Sequence, residues 1–167
     1  MNGELEIGNV EMQDDGRNVI VMIELRNNTD RTLHAYADPR NIQCDPAARK
    51  LTIRMTDRER MEPMQSSFRR PNLRAVDSKG VTVLRLMLPR IFNRMAQSAE
   101  KQTSPQFEKL NIFEAETVEV QVAWSDRPFY TDPQSSQTQQ TARQELAAWD
   151  KGLAIGRGGR KGGAPQR

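Results

Sequence analysis

The sequence contains one cysteine, Cys44, and one histidine, His34, in 167 residues. A single cysteine excludes an intrachain disulfide, and a reducing compartment, the cytoplasm, is therefore expected. A single histidine excludes metal sites built from paired histidines, and neither H-E-x-x-H nor C-x-x-C occurs. No apolar run approaches the roughly 18 residues that a membrane span requires. The first residues lack the basic and apolar regions of a secretory signal, so none is expected.

Signals for catalysis are equally few. One alternative joins Cys44 to His34 as a nucleophile and its base, because such pairs meet in space rather than in sequence. The preferred interpretation is a histidine on a sheet surface and an isolated thiol. The glycines near the C-terminus do not form a phosphate-binding loop, because Lys161 is followed by Gly162 rather than by serine or threonine. We therefore expect no catalytic residue, no cofactor and no metal, and the chain is not predicted to be an enzyme.

Acidic residues cluster in three segments that also carry turn signals. These clusters are Asp14 with Asp15, Asp38 with Asp45, and Asp126 with Asp132. Loop carboxylates at one end of a β domain can bind Ca²⁺, but none of these segments has the spacing of an EF-hand loop. Aspartate is common in turns because its side chain bonds the nearby backbone. The turn interpretation is therefore preferred to a calcium site.

Strand-like alternation of apolar and polar residues is the strongest pattern in the sequence. Residues 18–27 are apolar on one side throughout and on the other side only at the start. Residues 50–56 and 116–125 alternate regularly, and a change of phase at Gly8-Asn9 predicts a β-bulge. Residues 80–88 are apolar on both sides, which predicts either a buried position or an interface.

Six or more such segments, separated by turn signals, predict a mainly β fold organised as an antiparallel β-sandwich. Residues 18–124, in which one strand is followed by Asn27-Asn28-Thr29-Asp30 and a further strand, resemble bacterial immunoglobulin- or fibronectin-type sandwich domains. This resemblance implies an immunoglobulin-like fold and no particular activity. The sandwich domain is expected to span residues 1–133.

The remaining residues differ in composition from this domain. Residues 134–140 are predicted to be a polar linker, and Thr141 with Gln144 forms a capping box for an amphipathic helix over 141–152. Gly152 is placed to end this helix as its cap. Residues 153–167 are rich in glycine and arginine and contain no acid, which predicts a disordered basic tail.

The predicted helix carries the first functional hypothesis. Leu146, Trp149 and Leu153 form one apolar stripe, and tryptophan is a favoured anchor in protein interfaces. The stripe favours docking to a protein partner or to a second copy of the chain, while the alternative is docking on its own β domain. The first hypothesis is therefore a non-catalytic assembly or adaptor module, a structural protein that acts through protein–protein interaction.

Two further hypotheses use other residues. Arg157, Arg160, Lys161 and Arg167 of the basic tail would neutralise phosphates in a nucleic-acid-associated protein, an RNA-binding one in particular. A solvated terminus without a ligand is the alternative interpretation of the same tail. The third hypothesis is a ligand-binding sandwich that uses the aromatic rings of Trp124, Phe129 and Tyr130 near one end of the domain.

Overall fold

The computed structural model describes residues 3–57, 70–89, 91–95, 107–129 and 136–160. Within these residues the chain forms eleven β-strands, one α-helix and a short 3-10 helix at Ile112–Glu114. The strands are β1 (Leu5–Asp14), β2 (Asn18–Asn27), β3 (Leu33–Tyr36), β4 (Asn41–Asp45), β5 (Lys50–Met55), β6 (Leu73–Val76), β7 (Val81–Pro89), β8 (Ile91–Met95), β9 (Phe107–Asn111), β10 (Thr117–Ser125) and β11 (Gly152–Arg160). The helix, α1, spans Ser136–Ala147. The prediction of a mainly β fold is confirmed.

Nine of these strands form one curled, mixed sheet that resembles half a barrel. The main path of the sheet is β4–β5–β10–β11–β1–β2–β7, while β3 pairs with β10 and β6. The prediction of an antiparallel sandwich is not confirmed, because β5 pairs with β10 and β1 pairs with β11 in parallel. Parallel neighbours are joined by long connections, and the periodicity of a sequence does not show which distant strands pair.

The core side of the sheet is formed by the alternating residues that the sequence identified. In β2 the inward side chains Val19, Val21, Ile23 and Leu25 are completely buried. Ile20 is also buried on the opposite side, as expected at the start of this strand. The register of β1 against β2 shifts between Ile7 and Val10, which confirms the predicted bulge at Gly8-Asn9.

The turn after β2 is held by one buried amide. The side-chain nitrogen of Asn27 donates to the backbone oxygens of Arg31, Val76 and Asp77 at 2.7–3.1 Å. Its side-chain oxygen accepts from the backbone nitrogen and the hydroxyl of Thr29. Asn27 therefore ties the end of β2 to the segments around β3 and β6, so the turn-forming asparagine of the sequence is also a cross-link of the core.

The prediction of a disordered tail is wrong for residues 153–160, because this segment belongs to β11 at the centre of the sheet. β11 runs antiparallel to β10 and parallel to β1. Its inward positions carry the small residues Gly152, Ala154, Gly156 and Gly158. Each of these glycines packs closely against a neighbour: a Cβ at Gly152 would lie 2.6 Å from the Trp124 ring, and one at Gly156 would lie 2.2 Å from Ile7. The glycines therefore serve close packing rather than flexibility.

The predicted helix is placed correctly only in part. α1 begins at Ser136, inside the segment predicted as a linker, and ends at Ala147. Gly152 is the first residue of β11 rather than a helical cap. After the helix the backbone nitrogen of Trp149 donates to the Leu146 oxygen, and that of Lys151 donates to the Trp124 oxygen. This second bond starts the pairing with β10, which ends any continuation of the helix.

Candidate interaction surfaces

Strand β7 presents an apolar stripe at the edge of the sheet. In the described part of the chain β7 pairs only with β2, so one side of its backbone lies along a free edge. Its side chains alternate: Leu84, Leu86 and Leu88 are buried, while the side chains between them face outward. Among the outward residues, Val81, Val83 and Met87 are 57%, 45% and 54% exposed. The two apolar sides noted in the sequence are thus one core side and one surface side.

The opposite edge of the main path is built differently. Strand β4 is five residues long and its outward side chains are polar: Asn41, Gln43 and Asp45. Native proteins protect free sheet edges with short strands and polar or charged residues, because an unpaired edge is a template for another strand. By this criterion β4 is protected, whereas β7 has only Arg85 in its middle and Pro89 at its end.

A second surface surrounds Glu119 on the outer face of β10. Its carboxylate accepts a hydrogen bond from Arg157 Nε at 3.0 Å and lies 3.3 Å from Lys50 Nζ. Gln121 donates its side-chain amide to the same carboxylate at 2.9 Å. The hydrogen bond from Gln121, together with the two cations, lowers the pKa of Glu119 below its ordinary value, and burial of the carboxylate opposes the shift. Three adjacent strands thus contribute to one charged cluster.

Two of the four basic residues predicted to bind nucleic acid lie on β11 in the described structure. Arg157 extends from β11 to Glu119 with its side chain 72% exposed. Arg160 donates through Nε to the backbone oxygen of Ala115, at the end of the same strand. Lys161 and Arg167 lie outside the described residues. The two arginines are held by protein groups on a sheet, rather than carried on a flexible tail.

The residues predicted to bind a partner through the helix are placed in the core. Leu146 and Trp149 are 5% and 2% exposed, and Leu153 is partly buried against the same cluster. The indole nitrogen of Trp149 donates to the backbone oxygen of Arg127 at 2.7 Å, and its ring lies 5.7 Å from that of Tyr36. The alternative of docking on its own β domain matches this arrangement, and the stripe is not on the surface.

A charged cluster lies beneath these rings. The Asp57 carboxylate accepts hydrogen bonds from Arg40 at 3.0 Å and from the Tyr36 hydroxyl at 2.9 Å. Burial raises the pKa of Tyr36, and the neighbouring Asp57 carboxylate adds to the rise, so the phenol keeps its proton. The Arg40 side chain is 1% exposed. The protonated Tyr36 phenol and the buried Arg40–Asp57 ion pair join the β3–β4 loop to the segment after β5. We therefore assign this cluster a structural role.

The other candidate residues are distributed over the fold. His34 lies on β3 and Cys44 is buried on β4, and these strands do not pair with each other in the described part of the chain. Trp124 and Phe129 are buried in the core, and Tyr130 lies outside the described residues. Among the described residues, no group of three His, Cys, Asp or Glu side chains is arranged to hold a metal ion.

Comparison with family models, curated proteins and solved structures finds no match to this chain. No described helix has the length and apolar composition needed to cross a membrane. The signal for the β7 stripe was present in the sequence as a strand with two apolar sides, whereas the Glu119 cluster needed the register of three distant strands.

Proposed function

We propose that this protein is a non-catalytic assembly module that joins another polypeptide through the free edge of β7. The observation that carries the proposal is the outward stripe of Val81, Val83 and Met87 on an edge strand of nine residues. An added strand would bond the free backbone groups and cover these side chains. The assembly role expected from the sequence is kept, but its surface moves from the buried helix stripe to the edge of the sheet.

The energetics of this edge favour pairing. Each outward side chain of the stripe is about half exposed, so it loses apolar surface when a neighbouring strand covers it. Covering two such side chains contributes on the order of 1–2 kcal/mol, at about 25 cal/mol per Å². Cross-strand pairs of β-branched residues add to this. A charge introduced into the stripe should therefore weaken association without unfolding the protein.

The test uses the full chain with Val83→Lys and Met87→Lys combined. We expect the β7 amides that point away from β2 to become protected from hydrogen exchange as protein is concentrated, or when a synthetic peptide with the sequence of residues 81–89 is added. The double variant should need an at least about tenfold higher concentration of protein or peptide to reach the same protection. Gln43→Lys on the protected edge β4 is the matched control and should behave like the unaltered chain. If the β7 amides that point away from β2 stay unprotected both on concentration and with the peptide, the proposal is rejected.

A second function, nucleic-acid binding, is favoured by the cations on the outer sheet face. Lys50 and Arg54 lie on β5 and Arg157 lies on β11. These two strands flank β10, which carries Glu119 between them. Basic side chains on one face can neutralise successive phosphates. Glu119 reduces the net charge of this patch, which is why we rank this function second.

The nucleic-acid hypothesis is tested by fluorescence anisotropy with a labelled single-stranded RNA. If the patch binds phosphates, affinity should fall steeply with salt, and Lys50→Gln with Arg157→Gln should reduce it by about tenfold at low salt. Arg17→Gln, an exposed arginine in the β1–β2 turn, is the control. Binding that is absent, or that ignores both salt and the paired substitution, rejects the hypothesis.

A further inference from the structure

One acid lies among three cations on the outer face of the sheet. In the register of the strands, Glu119 is opposite Thr52 on β5 and Arg157 on β11. Lys50 and Arg54 lie two residues to either side of Thr52 on the same strand, and therefore on the same face. The Glu119 side chain is only 12% exposed, whereas those of Lys50 and Arg157 are 41% and 72% exposed. The acid is thus enclosed by its surroundings, while two of the cations reach solvent.

Both oxygens of the Glu119 carboxylate are occupied by protein donors. Arg157 Nε donates to Oε1 at 3.0 Å, and Lys50 Nζ lies 3.3 Å from the same oxygen. The side-chain amide of Gln121 donates to Oε2 at 2.9 Å. Charged and neutral donors that converge on one anion are the arrangement by which proteins bind carboxylate and phosphate groups. Side chains from β5, β10 and β11 therefore form an oxyanion site, and the anion that they hold is the protein's own carboxylate.

The cations around this carboxylate have further capacity to bind an anion. Among the described residues, Arg157 donates through Nε alone, so its two Nη groups remain available to a second acceptor. Arg54 lies opposite Gln121, and its buried Nε has no hydrogen-bond partner in the same part of the chain. Its charge is therefore not balanced by Glu119 as those of Lys50 and Arg157 are. A phosphate on this face would meet one uncompensated cation and two that are already shared with an acid.

We propose that Glu119 is a built-in competitor for phosphate on this face, where it limits the affinity of Lys50, Arg54 and Arg157 for a nucleic-acid backbone. This inference rests on the second proposed function, nucleic-acid binding, and specifies the residue that controls it. While Glu119 holds two of the cations, they contribute little to the neutralisation of phosphates. Removing its charge frees them, and each additional cation that contacts a phosphate releases further counterions.

The test uses Glu119→Gln in the full chain and the labelled single-stranded RNA of the anisotropy experiment. The affinity should rise by about tenfold at low salt, and the slope of log affinity against log salt should steepen by about one. Glu116→Gln is the matched control, since it removes an equal charge from an exposed carboxylate that lies 3.1 Å from Arg49, just before β10. The control should change the affinity by less than about twofold and leave the slope unaltered.

A third variant identifies the groups that carry the gain. Glu119→Gln combined with Lys50→Gln and Arg157→Gln should lose the increase in affinity, because the freed cations are no longer present. If Glu119→Gln does not fold, Glu119→Asp takes its place, since its shorter side chain draws the carboxylate back from both cations. A smaller increase in the same direction is then expected.

The outcomes separate the competitor from the function on which it rests. A gain and a steeper salt slope in Glu119→Gln, with neither in Glu116→Gln, support the inference. Equal gains in both variants would show an effect of net charge alone and overturn it. If the unaltered chain binds RNA in a salt-dependent way and Glu119→Gln binds no better, the competitor is rejected while nucleic-acid binding survives. If neither protein binds, both are rejected.

Discussion

Replacing Gly158 with alanine should destabilise the protein by about 3 kcal/mol, the upper end of the usual cost of overpacking. A Cβ at this position would lie 1.8 Å from the backbone oxygen of Val10. The obstacle is backbone rather than a flexible side chain, so β1 and β11 must separate at the centre of the sheet. Since natural domains are stable by only about 5–15 kcal/mol, this is a large fraction of the total. Urea unfolding, followed by the fluorescence of Trp124 and Trp149, measures the loss.

The matched control is Gly3→Ala, where a Cβ would lie 3.4 Å from the nearest backbone oxygen, an ordinary contact. This variant should unfold at the same urea concentration as the unaltered chain. A loss below about 1 kcal/mol in Gly158→Ala would show that β11 does not pack against β1 as described. It would restore the interpretation of residues 153–160 as a loosely held tail.

The central strand β11 was missed because its composition indicates the opposite of a strand. Glycine is depleted in strands and common in flexible segments. The signal that could have found it is the alternation of small residues at positions 152, 154, 156 and 158 with larger ones at 153, 155 and 157. Period-2 spacing of glycine fits a strand whose inner face is covered closely by its neighbours.

Local patterns predicted several strands correctly, although β11 was missed. The inward residues of β2, the bulge at Gly8-Asn9 and the alternation of β10 all follow from periodicity within a few residues. The parallel pairing of β10 with β5 joins segments more than 60 residues apart in sequence. No local pattern encodes that choice, so the sequence could predict the strands but not the mixed sheet.

The candidate sites also depended partly on local sequence patterns and partly on the order of the strands in the sheet. The two apolar sides of residues 80–88 predicted burial or an interface; one side is buried, and the interface stays a prediction. The sheet order, which the sequence does not show, places β7 at an edge of the described sheet. The stripe of Leu146 and Trp149 was expected to dock to a partner, although packing on its own domain would bury the same apolar side chains. Their burial in the core depends on where β11 inserts.

The second large effect is expected at Asp57. Replacing it with alanine should cost about 3–5 kcal/mol, because the buried Arg40 guanidinium would lose the carboxylate that it bonds at 3.0 Å. The Arg40 side chain is 1% exposed, and it bonds the Asp57 carboxylate through Nε and Nη2. Within the described residues, the Asp38 carboxylate also lies near this guanidinium, 4.0 Å from Arg40 Nη1. The Tyr36 hydroxyl also loses its acceptor.

A graded series separates the charge from the hydrogen bonds. Asp57→Asn keeps an acceptor for Tyr36 without the charge and should lie between the unaltered chain and Asp57→Ala in urea unfolding. Combining Asp57→Ala with Arg40→Met removes both charges and should recover part of the loss, since replacing a buried pair is less costly than breaking it. Asp30→Ala, at a side chain 97% exposed, is the control and should change stability by no more than about 0.5 kcal/mol. If Asp57→Ala is as mild as this control, Arg40 is hydrated rather than buried, and the cluster does not hold the β3–β4 loop against the core.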